Sequence, residues 1–190
     1  MRNLTVACLA LILTLSVLPT PAHAATVAGV NVPDKADAEG TALVLNGAGL
    51  RTKLWIKVYV GALYLPGKES NAAKVLAADT ARETRFFFLY GVSKSQMCDA
   101  WSEGLEQNSP NASAQVSKDF KALCTWMEDI PKGNQMALVY VPGKGTTLTV
   151  NGKAKGTLPG KATSDAILGT WIGPDPAPGA DFKQAVLGGK

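Results

Sequence analysis

The stretch Leu54-Trp55-Ile56-Lys57-Val58-Tyr59-Val60-Gly61-Ala62-Leu63-Tyr64-Leu65 carries the strongest strand signal in this chain of 190 residues. Its even positions Leu54, Ile56, Val58, Val60 and Ala62 are all apolar and are predicted to face a core. Its odd positions Trp55, Lys57, Tyr59 and Gly61 are amphipathic and are expected to face wetter surroundings. Pro66-Gly67 ends the run. A long half-buried strand of this kind sets the class: a sheet with one face against a core.

Toward the N-terminus, Thr41–Gly47 alternates weakly and runs into Gly47-Ala48-Gly49-Leu50-Arg51, read as a glycine-rich turn. Before it, Thr26–Val32 reads as a first strand closed by Pro33. Toward the C-terminus, Asn71–Ala78 reads as a short helix and Arg85–Tyr90 as a strand. Ser93 with Gln96 three residues later forms a capping box. The helix it opens runs to about Gln107, with Met97, Ala100, Trp101, Gly104 and Leu105 on one face. A second helix begins near Ser109-Pro110, buries Val116, Phe120, Leu123, Cys124 and Met127, and stops before Pro131. Met136–Val141 and Thr146–Val150 are strands, and Asn151-Gly152 is a two-residue hairpin turn into Lys153–Leu158. Thr163–Ile172 and Ala180–Leu187 close the chain as helices around Gly173-Pro174-Asp175-Pro176. The element order is mixed α+β, an antiparallel sheet with helices on one face, and no internal repeat or linker divides it.

The N-terminus is expected to be an address. A single positive charge at Arg2, an apolar run from Leu4 to Leu18 and the small-x-small ending Ala22-His23-Ala24 make residues 1–24 a signal peptide. The domain is then residues 25–190, 166 of the 190, in a periplasmic or secreted protein. The apolar run is too short for a comfortable membrane span, and no later segment approaches one. Cleavage removes the one histidine, His23, and with it any imidazole for a triad, a metal site or a near-neutral base. It removes Cys8, and without Arg2 the formal charge falls from +4 to +3. So small an excess, with only four arginines (Arg2, Arg51, Arg82, Arg85), argues against a nucleic-acid partner. Cys98 and Cys124 remain, on neighbouring predicted helices. In an oxidising compartment they suggest a disulfide; the alternative is two buried thiols. Their spacing fits neither a redox CxxC nor a zinc site.

Other apparent signatures fail. Gly143-Lys144-Gly145-Thr146 lacks the spacing of a phosphate loop, and Gly47-Ala48-Gly49 is a lone GxG. Asp99, Glu103 and Glu106 read as a solvated helix face. No cofactor and no metal are expected. Arg51 stands out because, if the strand alternation extends back to it, it shares a face with Trp55 and Tyr59. A guanidinium beside aromatic rings under a helical layer suits a carboxylate or enolate. The plainer alternative is a turn arginine in solvent. Thr170-Trp171 could line a cleft; the plainer alternative is Trp171 in the core and Thr170 bonded to its own helix backbone.

Gly47-Ala48-Gly49-Leu50-Arg51, Ile56-Lys57-Val58-Tyr59-Val60-Gly61-Ala62-Leu63-Tyr64-Leu65 and Leu168-Gly169-Thr170-Trp171-Ile172-Gly173, in that order, resemble the chalcone isomerase family, most nearly its bacterial exported branch. The resemblance implies an open-faced β-sandwich, a large antiparallel sheet with a helical layer. It also implies that Arg51 matches the arginine holding the substrate oxyanion in the plant enzymes, and that Thr170 matches their cleft threonine. Tyr59 stands where those enzymes carry a threonine. Their helix tyrosine and, seven residues on, asparagine are replaced here by Gln96 and Glu103. Other branches resemble fatty-acid-binding proteins, in which the same arginine holds a carboxylate. The favoured reading is therefore a non-catalytic binder of a small amphipathic anion, a fatty acid or phenolic acid. Arg51 pairs with the acid, Tyr59 and Thr170 donate hydrogen bonds, and Trp55 and Trp171 wall the cleft. The alternatives are an intramolecular lyase acting on a phenolic enone, with Arg51 and Thr170 as its catalytic pair, and a periplasmic factor whose partner is another protein.

Overall fold

The computed structural model describes residues 25–189; the predicted signal peptide, with Cys8 and His23, lies outside them. A hairpin of β1 (Ala25–Val27) and β2 (Val30–Val32) precedes the main sheet. The main sheet is antiparallel and keeps chain order: β3 (Lys35–Ala38), β4 (Thr41–Lys53), β5 (Ile56–Leu65), β6 (Arg82–Phe88), β7 (Gln135–Val141), β8 (Gly145–Val150) and β9 (Lys153–Leu158). Five helices join or follow these strands: α1 (Ala72–Ala77), α2 (Lys94–Asn108), α3 (Ala114–Trp126), α4 (Lys161–Ile172) and α5 (Ala180–Val186). This is the predicted α+β class, a large antiparallel sheet with a helical layer.

Three readings of the sequence need correction. Thr26–Val32 is two strands, because Ala28 and Gly29 both take positive φ (49° and 85°) and turn the chain back. The Lys35–Ala38 strand carries too little apolar pattern to be read. The Gly47-Ala48-Gly49 segment is no turn: it lies inside the 13-residue β4. The turn comes at Leu54-Trp55, where Leu54 has φ 55°.

The polarity of β5 is the fourth correction. Its odd positions face the helices: Tyr59, Leu63 and Leu65 pack into the main core with Phe86, Phe88, Trp171 and Phe182. Its even positions Val60 and Ala62, with Tyr64 two residues on, form a second cluster with Val32, Ala38, Leu43 and Phe87. That opposite face is covered as well, by β2, β3 and the bond from the Tyr64 hydroxyl to the Pro33 carbonyl (3.0 Å). With both faces buried, alternation marks two cores rather than core and water.

The capping box of Ser93 and Gln96 is present in α2 as expected, while α3 starts at Ala114, capped by Ser113, later than the expected start near Ser109-Pro110. Met97, Trp101 and Gly104 turn inward, while Ala100 is exposed. Cys98 and Cys124 are joined by a disulfide that ties α2 to α3, with Cα atoms 5.2 Å apart. Asn151 and Gly152 form the expected left-handed turn (φ 49° and 75°) between β8 and β9.

Candidate functional site

The site is built on the β4–β5 pair. Gly47, Gly49 and Arg51 alternate along one face of β4, and Arg51 lies directly opposite Tyr59 in the register, so both side chains rise on the helix-covered face. The glycines explain how close the helical layer comes. A Cβ on Gly49 would stand 3.1 Å from the Phe182 ring, and one on Gly61 would stand 2.6 Å from Phe182 and 2.8 Å from Trp171. On Gly47 it would meet the backbone of Ala185, Val186 and Gly188. The motif is therefore a seat for α5.

Asn46 locks that seat. It is buried at the β-bulge between Leu45 and Gly47. Its amide donates to the carbonyls of Val186 (2.9 Å) and Glu69 (3.0 Å), and its side-chain oxygen accepts from the Glu69 N–H (2.8 Å). All three bonds go to backbone groups at the end of α5 and after β5, so one side chain joins the helix to the sheet. An isolated asparagine in a strand carries no sequence signal of this role.

Around Tyr59 the rings close in. Its centroid lies 5.0 Å from Phe86, 5.9 Å from Phe88, 6.0 Å from Phe182 and 6.3 Å from Trp171, the last nearly parallel. Burial pushes the Tyr59 hydroxyl well above the ordinary range of a phenol; the Arg51 charge and a hydrogen bond from Trp171 act the other way. Tyr59 is thus a neutral hydroxyl beside a half-buried cation, in an aromatic seam between the β4–β5 pair and α4–α5. Such a corner can hold a carboxylate, with the guanidinium as counter-ion and the phenol as donor.

The structure brings Arg51, Tyr59 and Trp171 together. Thr170 lies elsewhere on α4: its hydroxyl donates to the Ile167 carbonyl (2.8 Å), and its methyl side packs where Gly104 of α2 leaves room. Trp55 sits in the β4–β5 turn and is 85% exposed. Gln96 accepts from the Ser93 N–H and Glu103 from the Gln107 amide; both are exposed on α2.

Two concavities lie away from Arg51 and Tyr59. A surface depression of about 420 Å³ between the α2–α3 loop and α4 is lined by Ser109, Pro110, Asn111, Ser113, Val116 and small residues of α4, with no charged side chain to hold an acid. A cavity of about 10 Å³ lies beside buried Arg82, which bonds to Ser164 (2.7 Å) and Asp165 (2.5 Å) of α4 and stacks over Tyr140. It has room for about one water, which the otherwise unbonded Thr146 hydroxyl would accept. Arg82 and Arg85 are both spent on structural pairs, the latter with the buried Glu83 (2.5 Å), which leaves Arg51 as the arginine without a carboxylate partner among the described residues.

An antiparallel sheet in chain order and a helical layer on one face define an open-faced β-sandwich, with the Arg51–Tyr59 pair as a candidate site at the strand–helix seam. The chain belongs to the chalcone isomerase-like family, whose model matches residues 24–188. Among solved structures it is similar to a fatty-acid binding protein of Arabidopsis thaliana, with TM-score 0.69 and 16% identity over 87% of this chain and 96% of that one. No curated protein sequence matches it.

Proposed function

We propose that this chain is an exported, non-catalytic binder of a small amphipathic anion, a fatty acid or a phenolic acid. The carrying observation is the opposition of Arg51 and Tyr59 under the helical layer, Arg51 being the one arginine that no carboxylate neutralises among the described residues. Arg51 takes the carboxylate, Tyr59 donates to it, and the apolar tail enters between Trp171, Phe182 and Phe88 as the rings and α5 give way. Support also comes from a structural neighbour whose title describes a fatty-acid binding protein. The predicted signal peptide points to the periplasm or the medium as the place of action.

The test is native mass spectrometry and titration with palmitate and with p-coumarate. A one-to-one complex is expected, with affinity falling by about tenfold or more in Arg51→Ala, as for a lost charged hydrogen bond. An Arg51→Ala protein that binds both acids as well as the parent overturns the reading.

A further inference from the structure

The large apolar side chains left exposed among the described residues are Leu54 (77%), Trp55 (85%), Ile56 (37%) and Tyr90 (53%). They share one corner. Leu54, Trp55 and Ile56 are consecutive at the β4–β5 turn, and the Tyr90 N–H bonds to the Val58 carbonyl (3.1 Å) just beyond it. Lys53 and Lys57, both exposed, flank the triplet, with Arg51 behind them. From Gly40 to Lys68 the chain has no acidic residue. The tip is apolar at its end and purely cationic at its shoulders.

Its backbone points the same way. Leu54 holds φ 55°, a left-handed conformation that Gly or Asn would adopt with less strain. A turn that keeps a leucine there and a fully displayed tryptophan next to it is not optimised for folding alone.

We infer that the β4–β5 tip is a membrane-docking element for an anionic phospholipid surface. Leu54 and Trp55 enter the interfacial region, Ile56 and Tyr90 follow at its edge, and Lys53 and Lys57 lie among the acidic headgroups. Charge decides against a second copy of the chain as occupant, since two such tips would bring like charges together. Docking also sets Arg51, three residues from Leu54, about 10 Å from the lipid. The inference stands independently of the acid-binding proposal, because its readout needs no fatty acid.

The experiment is co-sedimentation of the purified full chain with vesicles of phosphatidylcholine alone and of phosphatidylcholine with phosphatidylglycerol, at low and high salt. Residues 1–24 are the same in every variant, so differences between variants report the tip. Binding to the anionic vesicles is expected, reduced by about tenfold or more in Leu54→Ser/Trp55→Ser and in Lys53→Gln/Lys57→Gln, the latter also losing salt dependence. Bromine-labelled lipid should quench emission in the parent and not in Trp55→Ser. Unchanged circular dichroism is expected because all four positions are exposed. Parent protein that stays in the supernatant, or a Leu54→Ser/Trp55→Ser variant that sediments like the parent, overturns the inference. So does self-association that the same substitutions abolish while no vesicle binding is seen.

Discussion

Arg51 and Tyr59 face each other directly across the β4–β5 pair, and the phenol stays neutral because burial outweighs the pull of the guanidinium. The two side chains therefore have different expected weights. Tyr59→Phe keeps the ring contacts with Phe86 and Trp171 and removes one neutral donor. Its fold is retained and acid binding weakens by about threefold to tenfold, less than in Arg51→Ala. Isothermal titration with palmitate compares them; equal losses would mean the phenol carries as much as the charge.

At Gly61 two rings of the helical layer, Phe182 and Trp171, come close to the sheet. Gly61→Ala puts a methyl group against Phe182 and Trp171 and destabilises by about 1–3 kcal/mol. In a Phe182→Ala background the same change costs about 1 kcal/mol less, because one of the two rings it would strike is gone while Trp171 remains. Urea midpoints of the four proteins give the coupling, and strict additivity would count against the close approach.

Asn46 should act at a distance from the rings. Asn46→Ala removes one buried and two part-buried bonds to backbone groups and costs about 2–3 kcal/mol. Because one of the lost bonds holds the end of α5 and the other two hold Glu69 after β5, amide exchange should rise first in α5. A variant with uniform loss of protection would show that α5 does not open separately from the sheet.

The α2–α3 disulfide closes a loop whose removal should cost about 3 kcal/mol. Cys98→Ser/Cys124→Ser is expected to keep the strand signature in circular dichroism, since the bridge lies wholly in the helical layer. Urea unfolding with and without reductant checks the magnitude.

Tyr64 and Tyr140 are pushed up to about 12, both chiefly by burial, and Tyr140 also by its bond to Asp79. An unfolded tyrosine ionises near about 10. The folded state thus holds protons that the unfolded state releases, so this contribution is full below about pH 10 and is lost as pH rises toward about 12. Phenolate absorbance should lag behind that of free tyrosine, and the urea midpoint should fall across the same interval. A midpoint flat through that range would contradict the burial of these hydroxyls.

The α+β class, the helix cap at Ser93 and the Asn151-Gly152 turn were legible in the sequence, and the Cys98–Cys124 disulfide was one of the two alternatives it offered. The first three depend on residues near in the chain, where local conformational preference and period are enough; the disulfide, between cysteines 26 residues apart, was suggested by the compartment and the cysteine count. The two cores on either side of β5, the seating of α5 on Gly47, Gly49 and Gly61, and the role of Asn46 were not. They join segments up to 140 residues apart, and an absent Cβ records only that something is close, never what. Arg51 was singled out by chemistry and motif, but only the register placed it opposite Tyr59. Trp55 looked like a wall of the same cleft because alternation was carried through Leu54. A single left-handed residue broke that alternation and turned the tryptophan out to solvent.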